Sequence, residues 1–223
     1  MKQLLKQLLT LLHISVTRNQ KYDAYTRKII ERSITPRSNC IDIGCHKGEI
    51  LDLMIKGAGD GVKMGFEPIP ELYDFLTEKY RNQPLVKIHD VALYDSAGVT
   101  TFQHVLNAQA YSGIKKRRYD GKQVEIEQIQ VRTGMLDEII PATLHIGLIK
   151  IDVEGAEFRV MLGGKTTLQR CKPVVIFEFG MGAAEFYDST PEKLYLFLSG
   201  DCGMKISTLK GFLEKTQTLS KEQ

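Results

Sequence analysis

The spacing of apolar positions changes character along the chain, and each change predicts an element. Leu4, Leu5, Leu8, Leu11 and Leu12 recur at the i, i+4, i+7, i+8 spacing of an amphipathic helix over the first sixteen residues. Tyr22 to Arg32 predicts a second helix, with Pro36 marking its far side. From there on, short apolar runs alternate with helical stretches. Asn39 to Gly44, carrying Cys40, Ile41 and Ile43, predicts a strand, and Gly48 to Lys56 a helix. Val62 to Phe66 is a second strand ending at Glu67, and Pro70 through Arg81 a helix with proline well placed in its first turn. Leu85 to His89 is a third run, again ending in an acid, Asp90. Strands alternating with helices at this spacing predict a parallel sheet of crossover units, an α/β fold.

The middle of the chain alternates apolar and polar residues. Val99 to Leu106 and Val124 to Val131 predict two further strands around a polar loop containing the basic run Lys115 to Arg118. The apolar parity shifts between Ile126 and Ile129, so the pattern does not fix their register. Ile146 to Val153 is a buried-type strand containing Lys150 and Asp152, followed by a helix from Ala156 to Gln169. Pro173 to Phe179 is an apolar strand carrying one acid, Glu178, and Pro191 to Leu198 is a helix with Ser189 or Thr190 as cap. Met204 to Leu209 and Phe212 to Leu219, separated by Lys210 and Gly211, predict a terminal hairpin that closes the sheet.

Composition changes this picture little. The 223 residues are 43% hydrophobic and 26% charged, enough for a real core, and no repeat or linker divides them. The simplest partition is a helical extension, 1–35, and one domain, 36–223. A net charge of +3 is too small an excess for a phosphate backbone to be the main partner, which argues against nucleic acid. Cys40, Cys45, Cys171 and Cys202 form no C-x-x-C pair, so reduced thiols in a cytoplasmic protein are expected. The N-terminal leucine run is interrupted by Lys6 and Gln7, lacks a cleavage site and is too short to span a bilayer. Packing on the domain is the favoured reading of that helix; peripheral membrane contact or homodimer formation is the sharper one.

Chemistry gathers where strands end, because the ligand crevice of an open α/β sheet lies beyond the strands' carboxyl ends. Asp42, Glu67, Asp90 and Asp152 all stand there. Asp42 opens D-I-G-C-H-K-G, a turn in which Gly44 and Gly48 let the backbone approach a ligand. It is neither G-x-G-x-x-G nor a P-loop, which argues against a nicotinamide oxidoreductase and a nucleoside triphosphate. Glu67 is placed to accept both hydroxyls of a ribose. Asp90, followed by Val91 and Ala92, offers a carboxylate to an exocyclic amine beside atoms that would flank an adenine. A ribose acceptor and an adenine slot without a phosphate cradle describe S-adenosylmethionine. Asp152, Glu154, Glu157 and Glu178 are acids at the same edge, candidates to take the proton of an alcohol nucleophile. Glu154 and Glu157 equally suit a helix start, where acids cap free N–H groups. A clustered set of carboxylates could alternatively hold Mg²⁺, the weaker expectation.

On these residues the chain resembles the FkbM-type branch of the S-adenosylmethionine-dependent methyltransferases. The resemblance rests on C-I-D-I-G-C-H-K-G at 40–48, G-F-E-P at 65–68, D-V-A at 90–92, L-D at 136–137, P-V-V-I-F-E at 173–178 and above all K-I-D-V-E-G-A-E at 150–157. It implies a seven-strand Rossmann-like sheet in the order 3-2-1-4-5-7-6 with the last strand antiparallel. It also implies O-methylation of a hydroxyl on a sugar or another small polar metabolite. Pro68 joins the cofactor set through this match, and Ser112 matches a serine of the family that would touch cofactor or substrate. Glu157 is a second substrate candidate. The family's usual turn is G-A-N-x-G; here Cys45 and His46 stand at the Ala and Asn positions, so His46 would offer a ring nitrogen where the family offers an amide. A non-catalytic, cofactor-binding scaffold of the same fold is the alternative reading.

Overall fold

The computed structural model describes residues 18–119, 123–180, 182–216 and 218–221. The expected helix over the first sixteen residues lies outside them. Five strands form an all-parallel sheet in the order β3-β2-β1-β7-β8: β1 (Asn39–Ile43), β2 (Lys63–Phe66), β3 (Val86–His89), β7 (Ile146–Ile151) and β8 (Val174–Phe177). The connection that leaves β3 and returns at β7 reverses the direction of strand order, so the switch point falls between β1 and β7. β4 (Ala92–Leu93), β5 (Gly98–Val105) and β6 (Ile126–Gly134) form a separate three-stranded sheet in the order β4-β6-β5, with β5 antiparallel to β6.

The seven-strand order expected from the sequence is therefore corrected. Its first five positions are present, but among the described residues no terminal hairpin is formed. Residues 204–207 carry no strand, and Leu209–Glu214 is a helix. The reason is local. Thr208 Oγ1 accepts from Gly211 N at 3.0 Å and caps a turn of helix. Leu209 and Leu213, four apart, then pack against the cluster that contains Ile29 and Ile30. Those two isoleucines belong to the helix Arg18–Ser33, so the second half of the proposed extension is built into the core.

Period two divides the strands between two cores. Ile41, Ile43, Ile149 and Ile151 point into one cluster with Phe66 and Phe158. Cys40, Leu148 and Ile176 point into the other, with Leu51, Met54 and Leu76. Asp42 and Lys150 share the parity of Cys40 and Leu148 and are partners in register, which brings the two charged residues side by side. The helix expected over 156–169 is broken into Glu157–Leu162 and Lys165–Cys171. Gly163 sits against the Tyr94 carbonyl so closely that a Cβ would lie 2.0 Å from its oxygen. The second piece is capped from a distance, because the Asp137 carboxylate accepts from Thr166 N and Thr167 N, both at 2.8 Å. Thr190 caps the helix Pro191–Tyr195 as expected, accepting from Lys193 N at 3.2 Å. Among the described residues no helix is long and apolar enough to cross a membrane.

Candidate functional site

A cavity of about 280 Å³ opens at the carboxyl ends of β1, β2 and β7. Its floor is the turn after β1. Gly44 has φ +76°, and a Cβ there would lie 2.0 Å from the Asp152 carbonyl oxygen, so only glycine lets the β1 and β7 ends meet this closely. Asp152 N donates to Ile43 O at 2.9 Å and locks the two ends together.

Asp42 is 2% exposed and lines the cavity, and its Oδ2 has no hydrogen-bond partner. Burial pushes its carboxyl up to about 7, against the opposing pull of Lys150 and with Asp152, Glu67 and Glu49 adding to the rise. Glu67 lies deeper than a freely available ribose acceptor would. Its Oε2 accepts from His46 N at 2.9 Å and its Oε1 from Ile69 N at 3.1 Å, so the carboxylate ties the two loops together. Burial raises it also to about 7, opposed by those two N–H groups. His46 reaches the site with φ +46°, and the contribution it makes to Glu67 is its backbone N–H. Cys45 packs behind the turn, its thiol held well above the ordinary value by burial.

Asp152 lines the cavity with its side chain 46% exposed, and Lys150 Nζ donates to its Oδ2 at 2.9 Å. Glu154 also lines it, at φ +56° and ion-paired to Arg117, whose guanidinium lies 5.1 Å from the centre of the Tyr111 ring. Pro68, Val91, Ala92 and Ser112 complete the set that sequence reasoning brought here. Ser112 Oγ accepts from Val105 N at 2.9 Å, so its hydroxyl hydrogen is left to donate elsewhere.

Four expected site residues are placed elsewhere. Asp90 is exposed and ion-paired to Arg132, outside the cavity lining. Gly48 stands at the start of the helix Glu49–Gly57, where a Cβ would lie 2.3 Å from the Tyr80 hydroxyl; it serves helix packing rather than ligand approach. Glu157 is 2% exposed, and its Oε1 accepts from Val153 N at 3.2 Å and Gly155 N at 3.1 Å, so it braces the loop before its own helix. Glu178 is exposed beyond the end of β8 and does not line the cavity.

Sequence reasoning missed other lining residues. Phe66, Ile69 and Leu72 form an apolar wall, and Phe102, Gln109, Ala110 and Ile114 come from β5 and the loop after it. No spacing signal marks them, because a loop from the three-stranded sheet brings them over the site. Glu49 and Lys150 also line the cavity; the strand alternation that places Lys150 beside Asp152 was readable. The Lys115 to Arg118 run is largely tethered: Lys115 Nζ donates to Phe186 O at 2.7 Å, Arg117 pairs with Glu154, and Arg118 pairs with Glu185 at 3.2 Å. Among the described residues no group of three or more His, Cys, Asp or Glu side chains is close enough to hold a metal ion, so the geometry gives the Mg²⁺ alternative no ligand set.

The cavity fits S-adenosylmethionine on its own terms. A buried carboxylate is part of its lining, glycine opens its floor, and Ile69, Leu72, Val91 and Ala92 give it apolar surface of the kind a purine packs against.

Comparison with known proteins bears on the family. No curated protein matches the chain. Among solved structures, the 23S rRNA methyltransferase ErmE is 20% identical over 29% of this chain and 26% of that one, with a TM-score of 0.26, so the match spans about a quarter of that relative. An S-adenosylmethionine-dependent methyltransferase from Aquifex aeolicus is 13% identical over 82% of this chain and 80% of its own, with a TM-score of 0.42. The O-MT segment of StiE is 12% identical over 87% and 58%, with a TM-score of 0.40. Likeness at this level carries no argument about activity. The family comparison is stronger, because the Methyltransferase FkbM domain matches residues 42–206, a span that includes the cavity-lining Asp42, Glu67 and Asp152. By that match, which spans most of its length, the chain belongs to the FkbM family of S-adenosylmethionine-dependent methyltransferases.

Proposed function

We propose that this protein is an O-methyltransferase that moves the methyl group of S-adenosylmethionine to a hydroxyl of a sugar or another small, polar, uncharged metabolite. The observation that carries the reading is the cavity at the switch point, where the buried Asp42 keeps Oδ2 free beside the Gly44 turn. When bound, the cofactor supplies a methyl carbon already activated by a cationic sulfur. The protein's share is then mainly to hold two reactants in line. Good alignment is worth about 7 to 11 kcal/mol, whereas a general base gives about 10² to 10⁴ in rate, or roughly 3 to 5 kcal/mol.

Each side chain has a part in that division. Asp42 offers a negative charge to a cationic ligand in a site of low dielectric. Each Glu67 oxygen accepts one backbone N–H and keeps a lone pair for a ribose hydroxyl. The Phe66, Ile69 and Leu72 wall excludes water from the ring face. Asp152, half-exposed and steered by Lys150, is the group placed to take the acceptor's proton, with Glu154 beside it in the lining. Ser112 and Gln109 supply hydrogen bonds for the hydroxyls of a polyol.

Calorimetry with S-adenosylmethionine and S-adenosylhomocysteine, on the intact protein and on Glu67→Ala, tests the cofactor half. Binding by the intact protein with a loss of at least about tenfold in the variant is expected, since each lost hydrogen bond to a charged group is worth about 1.5 to 3 kcal/mol. Failure of the intact protein to bind either compound overturns the reading. Methyl transfer to a panel of neutral carbohydrates tests the acceptor half; cofactor binding without transfer to any hydroxyl compound favours the scaffold alternative.

A further inference from the structure

The three-stranded sheet ends on β5, and part of that strand is a bare edge. Alternation along a strand fixes which way each backbone group points. Leu106 N donates to Glu125 O at 2.8 Å, so even-numbered residues here turn their N–H and C=O towards β6. Odd-numbered residues turn theirs outward. Gln103 follows this parity, exchanging outward bonds with Gly113 at 2.8 and 3.2 Å, and Val105 N donates outward to Ser112 Oγ at 2.9 Å. Val99 and Thr101 are the remaining odd positions, and among the described residues no hydrogen bond answers their backbone groups.

Native sheets usually blunt such an edge with a lysine, a proline or a bulge. Gly98–Val105 carries no charged residue and no proline, and its register with β6 runs unbroken. Val99 is 69% exposed, the most exposed large apolar side chain among the described residues. An uncharged, unpaired edge with an apolar side chain on it is a template for another strand.

The order of the open groups is its own complement. A two-fold axis at Thr100 lays a second β5 antiparallel on the first, with Val99 of each copy opposite Thr101 of the other. Both residues point outward, so each pair exchanges its N–H···O bonds in full. Thr100 falls opposite itself, in the non-hydrogen-bonded position where side chains stand closest and two threonines pair favourably. An axis at Phe102 would call on Gln103, which Gly113 already occupies; the axis at Thr100 uses the two open residues and no others. The chain enters β5 through a bend at Asp95 and Ser96, which lets each copy turn aside before it reaches the Gly113 segment of the other. On β6 the charge in register with Val99 is Arg132, already paired with Asp90, so the pairing sets no unanswered like charges together.

We propose that β5 is the pairing edge of a homodimer, in which the three-stranded sheets of two copies join about Thr100. The occupant is a second copy because the open donors and acceptors match themselves, and the strand offers no charge by which to select a foreign sequence. The joined strand is the one whose Phe102 lines the cavity, so the interface adjoins a wall of the site.

Sedimentation equilibrium of the full chain from about 5 to about 200 μM tests the association, with a monomer–dimer equilibrium in the micromolar range expected for so short a contact. Thr101→Pro removes one outward N–H at an edge position that tolerates proline, and should weaken the dimer at least about tenfold. Thr100→Cys tests the register. Its Cα should lie about 4.5 Å from its own copy, within disulfide reach, so mild oxidation should give a covalent dimer on a non-reducing gel. The native cysteines are all buried and give no background. Leu106→Cys, exposed just beyond the paired stretch, should not cross-link. A chain that stays monomeric over the whole range overturns the proposal. So does a dimer that Thr101→Pro leaves intact, or one that cross-links through Leu106→Cys and not through Thr100→Cys. The concentration series and the cross-link decide the matter even if the proline variant fails to fold.

Discussion

Asp42 also has a consequence for stability that can be worked from its burial. Its carboxyl moves from 3.8 in the unfolded chain to about 7 in the folded protein. The folded state thus binds more protons than the unfolded state between these values, so the contribution of Asp42 to stability falls as pH rises through that window. At 1.36 kcal/mol per unit, the cost is roughly 2 kcal/mol near pH 5 and about 4 kcal/mol once pH exceeds both values. Asp42→Asn removes this titration. The buried amide brings its own penalty of about 1 to 3 kcal/mol, but that penalty does not depend on pH. Glu67, raised in the same direction, titrates in both proteins and largely cancels. Urea unfolding of the two proteins without ligand, at about pH 5, 6, 7 and 8, should show the variant gaining about 3 kcal/mol on the wild type across the series. Stability curves that run parallel would refute the burial argument, because they would mean that Asp42 ionises normally in the folded protein.

Gly44→Ala should lose cofactor binding and about 2 to 4 kcal/mol of stability, since a positive φ costs a non-glycine residue roughly 1 to 2 kcal/mol and the new Cβ meets the Asp152 carbonyl. A variant of full stability and affinity would contradict the packing. Asp137→Ala should cost about 1 to 2 kcal/mol in urea unfolding through lost capping of the helix Lys165–Cys171, with cofactor affinity unchanged by calorimetry. Lys63→Met should destabilise by about 2 to 3 kcal/mol, because the buried ammonium donates to the carbonyls of Ala58, Gly59 and Gly61 and methionine leaves them unanswered. Glu178→Gln should leave methyl transfer within about twofold of wild type; a loss of about 10² would mean that this exposed acid reaches the chemistry after all.

How much of this was legible follows from the range of each interaction. The runs ending in Asp42, Glu67 and Asp152 identified strands whose tips meet at one cavity, because strand period and crossover topology are local properties repeated along the chain. The pairing of Lys150 with Asp152 followed from two-residue spacing. The same local reasoning misplaced Asp90, whose partner Arg132 lies 42 positions away on β6. It also gave Gly48 to a ligand when the Tyr80 hydroxyl occupies that space from another helix. Glu157 was ambiguous between substrate and cap, and its two backbone N–H partners make it a brace. In the terminal segment Lys210-Gly211 has the look of a hairpin turn. The Thr208 cap and the Leu209 and Leu213 pair, seated on the N-terminal helix, decided for a helix.

By itself the sequence determined the α/β class and the family, because hydrophobic period and a glycine turn flanked by acids are written in consecutive residues. Only the tertiary structure decided which acids keep a free charge. Burial depends on the whole packed chain, and the ion-pair partners of Asp90 and Glu154 lie dozens of residues away. Their neighbours answer Asp90, Asp152 and Glu154 with ion pairs and Glu157 with backbone N–H groups, while Asp42 is buried with Oδ2 unpaired.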